Sequence, residues 1–285
     1  MNEASPSRRI WLCADDYGIS PGVNRAIRHL IKRGRLNATS VMVVGPAIDR
    51  DEVAKLQDTV AERHAWGNRC AIGLHMTLTA PFRPLTMHFR PADGDMFLPL
   101  PKMLQRGLAR RLDREIIQSE ISVQLAAFTE LFGRAPEFAD GHQHAQLFPV
   151  VRDAFLAAVS EHAPDAWVRQ GGRNLPLLKR LNAPKALLLD TLSAQFRKRA
   201  ARANIAFNTA FAGAYDFSRQ PDFGALMQQF LDGLPDGGLV MCHPGFVDET
   251  LVSLDPLTHQ REQEHAFLAS EHFPALLAAN KVTLE

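Results

Sequence analysis

The chain has 285 residues, of which 46% are hydrophobic and 22% charged. These are average values for a folded globular protein, and they exclude wholesale disorder, collagen-like repeats and low complexity. The 32 Lys and Arg against 31 Asp and Glu leave a formal net charge of +1, which gives no support to nucleic acid as a partner.

Basic residues cluster at 106–114 and 197–202 and read as solvated helix faces. Cys13, Cys70 and Cys242 are an odd number with no CxxC pair, so neither a disulfide framework nor a cysteine zinc site is expected. Residues 1–7 are expected to form a flexible polar tail without signal-peptide character. No apolar run approaches the length of a membrane span. A reduced cytoplasmic location follows as the expectation.

Taken in chain order, short apolar runs alternate with helical patterns. Residues 10–14 are the first strand. Ser20 and Pro21 then open a helix as N-cap and first helical residue, with Val23, Ile27, Leu30 and Ile31 on one face and Gly34 as its stop. Residues 39–44 form strand two, 47–56 a helix, and 70–74 strand three. Five prolines between Pro81 and Pro101 mark a long irregular insertion reaching to about residue 111, the kind of loop that walls a ligand cleft.

A long helix over 111–131 follows, then a strand at 136–139 and a helix over 148–159. Weak strands are predicted at 167–169 and 205–207, flanking a basic helical stretch over 178–203 broken near Pro184. A helix over 221–231, a buried strand at 239–242, helices over 262–268 and 274–279, and a last strand at 282–284 complete the chain. This alternation implies an α/β fold with a parallel sheet, and one barrel-like domain over residues 8–285 is preferred to two. No GxGxxG or P-loop supports nucleotide binding.

Polar, metal-competent residues follow directly on four of these strands. Asp15 and Asp16 follow the first, His75 the third, Asp140, His142 and His144 the fourth, and His243 the strand at 239–242. In parallel α/β folds the carboxyl ends of the strands open on one face, where sites are built. Each feature taken singly has a bland equivalent. An Asp-Asp pair can be turn chemistry, a lone histidine can be a core residue, and His243-Pro244-Gly245 can be a strand-ending turn. Ser20, however, already caps the helix, which leaves both aspartates without that duty. If the segment is extended, His142 and His144 point the same way.

One Asp and two His suit zinc, iron, manganese or nickel with positions left for water and substrate. A neighbouring carboxylate could then take a proton from activated water, and a histidine could protonate the leaving group.

The motifs also carry a resemblance. Ala14-Asp15-Asp16-Tyr17-Gly18-Ile19-Ser20 with Asn24, Gly73-Leu74-His75-Met76-Thr77, Asp140-Gly141-His142-Gln143-His144 and Met241-Cys242-His243-Pro244-Gly245 resemble, in order, four motifs of the YdjC-like carbohydrate deacetylases. That group includes chitooligosaccharide deacetylase and the hopanoid-biosynthesis protein HpnK. The resemblance implies a distorted (β/α) barrel of the glycoside hydrolase/deacetylase type and a divalent metal, magnesium in the family. On matching positions it implies Asp16, His75 and His142 as ligands, Asp15 as general base and His243 as general acid. Where this chain has Gln146 the family often has a further histidine.

The expected activity is removal of acetyl from an N-acetylated amino sugar by attack of metal-activated water. His144, Arg169 and Asp140 are candidate substrate contacts, and Trp11, Trp167 and Phe82 candidate sugar-stacking groups. Two rivals are weighed: a metal-free glycosidase pairing Asp15 with Asp140, and a non-catalytic sugar- or metal-binding protein that retains the site. No membrane partner is expected, and a homodimer is compatible with the sequence.

Overall fold

The structure is a computed structural model that describes residues 7–173, 184–217 and 221–284. The expected tail at 1–7 lies outside these apart from Arg8's neighbour Ser7, as does the 178–183 part of the basic helical stretch.

The first strand, β1 (Arg8–Tyr17), runs into α1 (Pro21–Lys32). Ser20 caps α1 by accepting the Val23 N–H at 3.2 Å. After β2 (Ala38–Val41), α2 (Arg50–Ala65) begins later and runs further than the sequence suggested. Asp49 sets its start by accepting the Glu52 N–H at 2.8 Å. β3 (Ala71–Met76) then leads into the insertion.

That insertion is more regular than expected. It holds a small antiparallel hairpin, β4 (Ala92–Asp93) with β5 (Met96–Phe97), and the helix α3 (Leu100–Leu108). Prolines 81, 84 and 91 confine irregular backbone to the stretch before the hairpin. Phe82, Phe89 and Phe97, each at most 3% exposed, pin the insertion to the core. The buried carboxylate of Glu120 accepts the N–H groups of Leu85 and Thr86.

The long helix α4 (Arg114–Phe132) is capped by Asp113 and stopped by Gly133 in the left-handed region. Next come β6 (Phe138–Gly141), α5 (Val151–His162), β7 (Trp167–Val168) and α6 (Pro184–Arg202). The weak strand expected at 205–207 makes only a single bridge, Phe207 to Val168. The paired strand is β8 (Phe211–Ala212), a few residues on, because the second of two short apolar pieces reaches Leu239 and Val240. α7 (Phe223–Leu231), β9 (Leu239–Cys242), α8 (Glu249–Leu254), α9 (His259–Ala269), α10 (His272–Ala279) and β10 (Val282–Leu284) close the chain.

All pairings of the main sheet are parallel, in the order β7-β6-β3-β2-β1-β9-β8, with β10 also on β1. The segment from Ala206 to Ala212 crosses between the two edges. Ala206 accepts the Val168 N–H at 2.9 Å, and Ala210 accepts the Leu239 N–H at 2.9 Å. The sheet thereby curls into a distorted barrel.

Two apolar clusters match the two faces of such a sheet. The larger packs strands against helices. The smaller takes Cys13, Ala38, Ala71, Phe138, Phe211, Leu239 and Met241 from six strands and fills the barrel interior. Trp11 and Trp167 join this plug with ring centroids 5.4 Å apart, and Phe138 stacks on Trp167 at 4.5 Å. Both tryptophans thus serve as packing beneath the site.

Candidate active site

β1 presents two adjacent carboxylates to the same end of the barrel. Successive strand residues ordinarily face opposite ways. Here the pairing of β1 with β2 shifts register between Ala14 and Tyr17, and Asp16 has φ 69°. Positive φ at a non-glycine residue is strained and concentrates at functional sites. The kink lets both side chains enter one buried cluster, each about 1% exposed.

Asp16, His75 and His142 offer ligand atoms that all lie within 4.8 Å of one another. The Asp16 Oδ1 is 3.2 Å from the His75 Nε2 and 3.1 Å from the His142 Nδ1. Donors bound to one ion at about 2.1 Å stand roughly 3.0–3.4 Å apart, depending on coordination geometry, so the spacing fits a shared divalent cation.

Charge argues the same way. Three carboxylates, Asp15, Asp16 and Asp140, meet two guanidinium groups, Arg169 and Arg261, all at most 1% exposed. With the acids ionised and the imidazoles neutral, as metal ligands are, these carboxylates outnumber the guanidinium groups by one, an excess that a bound cation would balance.

Two of the three, His75 and Asp16, are held by a second group. The His75 Nδ1 faces the Asp140 Oδ1 at 2.5 Å and the Ser40 hydroxyl at 3.0 Å. A carboxylate behind an imidazole fixes which ring nitrogen is left for a metal. Burial alone would lower the proton affinity of His75, but the Asp140 and Asp15 carboxylates overcome it and raise its pKa to about 10. Positive charge is therefore favoured where this ring stands. The Asp16 Oδ2 accepts from the Arg261 Nη2 at 2.6 Å, and the same nitrogen donates to Asp255 at 2.6 Å. Burial pushes the Asp16 pKa up, yet Arg261 and His142 hold it well below the ordinary value.

Asp15 lies beside this cluster in a fork from Arg169, with both contacts 2.7 Å long. Against the cost of burial, Arg169, His75 and His243 keep its carboxyl far below the usual range. The Arg169 Nη2 also reaches Asp140 at 3.2 Å. Arg169 and Asp140 thus lie under the cluster rather than on an open wall. Asp15 and Asp140 both face the Arg169 guanidinium.

His243 is half-buried at the end of β9. Its backbone N–H donates to the Glu264 Oε2 at 2.5 Å, while its Nδ1 has no hydrogen-bond partner. Burial lowers its pKa despite nearby Asp16 and Asp15.

His144 stays out of the ligand set. Gln143 and His144 have φ of 55° and 58°, so the segment His142–Leu147 coils as a 3-10 turn. The alternation expected of an extended segment fails, and His144 instead meets the Phe211 ring edge-on at 5.4 Å. Gln146 is buried and donates to the Arg169 carbonyl at 3.2 Å. Phe82 reaches the site from the insertion, with its ring 5.8 Å from that of His142.

Sequence reasoning missed Arg261, Asp255 and Glu264. Arg261, Glu264 and Leu268 recur at helical spacing on one face of α9 and are all buried. Charged residues in the apolar stripe were the available signal.

Comparison with known proteins decides the family. The YdjC-like protein family matches residues 9–279. The chain belongs to the YdjC-like family. It is 30% identical over 249 residues to the chitooligosaccharide deacetylase of Escherichia fergusonii, covering 86% of this chain and 84% of that protein. The chitooligosaccharide deacetylase of Klebsiella pneumoniae is 28% identical over 247 residues, covering 84% and 82%. Among solved structures, a protein from Enterococcus faecalis named for cellobiose-phosphate cleavage superposes with a TM-score of 0.75 at 18% identity. That match covers 98% of this chain and 97% of the other, and a likeness at this identity speaks for the shared fold alone. Among the described residues, no helix is long and apolar enough to cross a membrane.

Proposed function

We propose that this YdjC-like protein is a metal-dependent carbohydrate deacetylase that hydrolyses the acetamide of an N-acetylated amino sugar of the chito-oligosaccharide class. The observation that carries the reading is the cluster of Asp16, His75 and His142 with Asp15 beside it at the barrel mouth. Relatives at about 30% identity named as chitooligosaccharide deacetylases support the substrate class.

A divalent cation in this cluster supplies Lewis-acid polarisation of the acetamide and acidification of water. Asp16, His75 and His142 hold it. Asp15 accepts the proton of the attacking water. The Arg169 fork lowers its basicity but fixes its place, a trade suited to water that is already acidified. His243 rests neutral and readily yields a proton to the departing amine once it carries one. Two nitrogen donors favour zinc, manganese or nickel, while the family resemblance favours magnesium.

Acetate release from N-acetylated chito-oligosaccharides, measured before and after chelation and with elemental analysis of the purified protein, tests this reading. Release that stops on chelation and returns with metal supports it. Release that persists without metal points to other chemistry, and binding without release points to a non-catalytic protein. Asp15→Asn is expected to keep the metal and lose most turnover.

A further inference from the structure

A second pair of imidazoles meets on the outer surface, where α1 packs on α9. The His29 Nδ1 and the His265 Nε2 are 3.0 Å apart, and the rings lie 5.1 Å apart. We propose that His29 and His265 form a separate binding site for a borderline transition cation, of the Zn2+, Ni2+ or Cu2+ class, that ties α1 to α9.

The spacing fits two ligands of one ion, because imidazole nitrogens bound at about 2.0–2.1 Å stand roughly 3.0–3.4 Å apart. The rings are pre-positioned. His265 is packed against Phe246 at 4.4 Å. Both histidines are also kept neutral, the state that ligates. Burial and Arg33 lower the pKa of His29, while burial, His29 and Arg33 bring that of His265 to about 4.

The charged groups nearby are mixed. Arg33 opposes a cation, but its guanidinium is paired with Glu271 at 3.1 Å. Glu262 lies three residues before His265 on α9, a spacing that shares one helix face, and its carboxylate favours positive charge at His265. All-nitrogen donation from the pair rejects Mg2+, which demands oxygen ligands. The site is therefore selective in a way that the carboxylate-containing cluster at the barrel mouth is not. α9 also carries Arg261, so an ion here would brace the helix that grips Asp16.

Equilibrium dialysis of the full chain against Zn2+, with zinc read by elemental analysis, tests the assignment. His29 is exposed on α1, so His29→Ala leaves the fold intact, and His265→Gln gives an independent second variant. Wild type should hold one more equivalent of Zn2+ than either variant, with the difference absent for Mg2+. The barrel-mouth cluster is common to all three proteins and cancels in the comparison, so the outcome does not depend on the deacetylase reading. Equal zinc content in wild type and His29→Ala would overturn the site and reduce the pair to a plain N–H···N hydrogen bond.

Discussion

Arg169 grips both oxygens of Asp15 with two contacts of 2.7 Å in the floor of the site. The pair joins the end of β7 to the end of β1, so the position of the base depends on a residue 154 positions away. A planar fork fixes a carboxylate in a way that a lysine ammonium does not. Arg169→Lys keeps the charge and loses the fork. Turnover should fall by about 10- to 100-fold with metal content unchanged, because misplacement of a reacting group by roughly 1 Å costs on that order. Steady-state acetate release and elemental analysis on the same sample check both halves.

Arg261 plays the corresponding part for Asp16, and its removal should show first in metal retention. Arg261→Met leaves Asp16 and Asp255 without their shared donor. Loss of a group that orients a metal ligand typically costs about 10–100-fold in metal affinity. The stranded buried carboxylate should also destabilise the fold by about 3–5 kcal/mol in the metal-free protein. Dialysis against a competing chelator and a chemical denaturation series measure the two effects, and added metal should restore part of the stability.

How much of this was legible depends on what each residue needs from its neighbours in sequence. Asp15, Asp16, His75 and His243 end apolar runs, and a strand-end position in a parallel fold converges on one mouth whatever the intervening chain does. The pairing of these groups was not legible. The bidentate contact of Arg169 with Asp15 joins β7 to β1, strands that are not neighbours in the sheet, and strand order is a long-range property. The coil after His142 was not legible because the left-handed backbone at Gln143 and His144 leaves no trace in the hydrophobic pattern. In α9, Arg261 and Glu264 were missed, although their spacing to Leu268 on the same buried face marks them as inward-facing.

Gly73 offers a test of the barrel that does not touch a polar group. It sits in β3, two residues before His75, and a Cβ there would lie 2.6 Å from three atoms of the Phe138 ring. Phe138 is fully buried and stacked on Trp167, so it has nowhere to retreat without breaking the plug. Gly73→Ala should cost about 1–3 kcal/mol by overpacking. The lost stability should be partly recovered in Gly73→Ala combined with Phe138→Leu, which removes the clash. Urea midpoints at constant m-value provide the comparison.

Glu264 sets the last expectation, because it couples the site to pH. Its carboxylate is buried and accepts from the Tyr215 hydroxyl at 2.7 Å and from the His243 N–H at 2.5 Å. Burial raises its pKa from 4.5 to about 7, with the two hydrogen bonds and Arg261 only partly opposing the shift. The folded state therefore holds this proton more tightly than the unfolded chain does. Its contribution to stability is complete below about pH 4.5, declines as pH rises and is lost by about pH 7. A gap of about 2.5 pKa units corresponds to roughly 3 kcal/mol across that window. Glu264→Gln is close in shape to the protonated acid. Its amide oxygen can accept the His243 N–H, and its NH2 can donate to the Tyr215 oxygen. The variant should match wild type near pH 4.5, exceed it in stability above pH 7 and lack that part of the slope. Denaturation midpoints between pH 4.5 and 8 measure this directly, and equal slopes in both proteins would show that Glu264 stays ionised throughout.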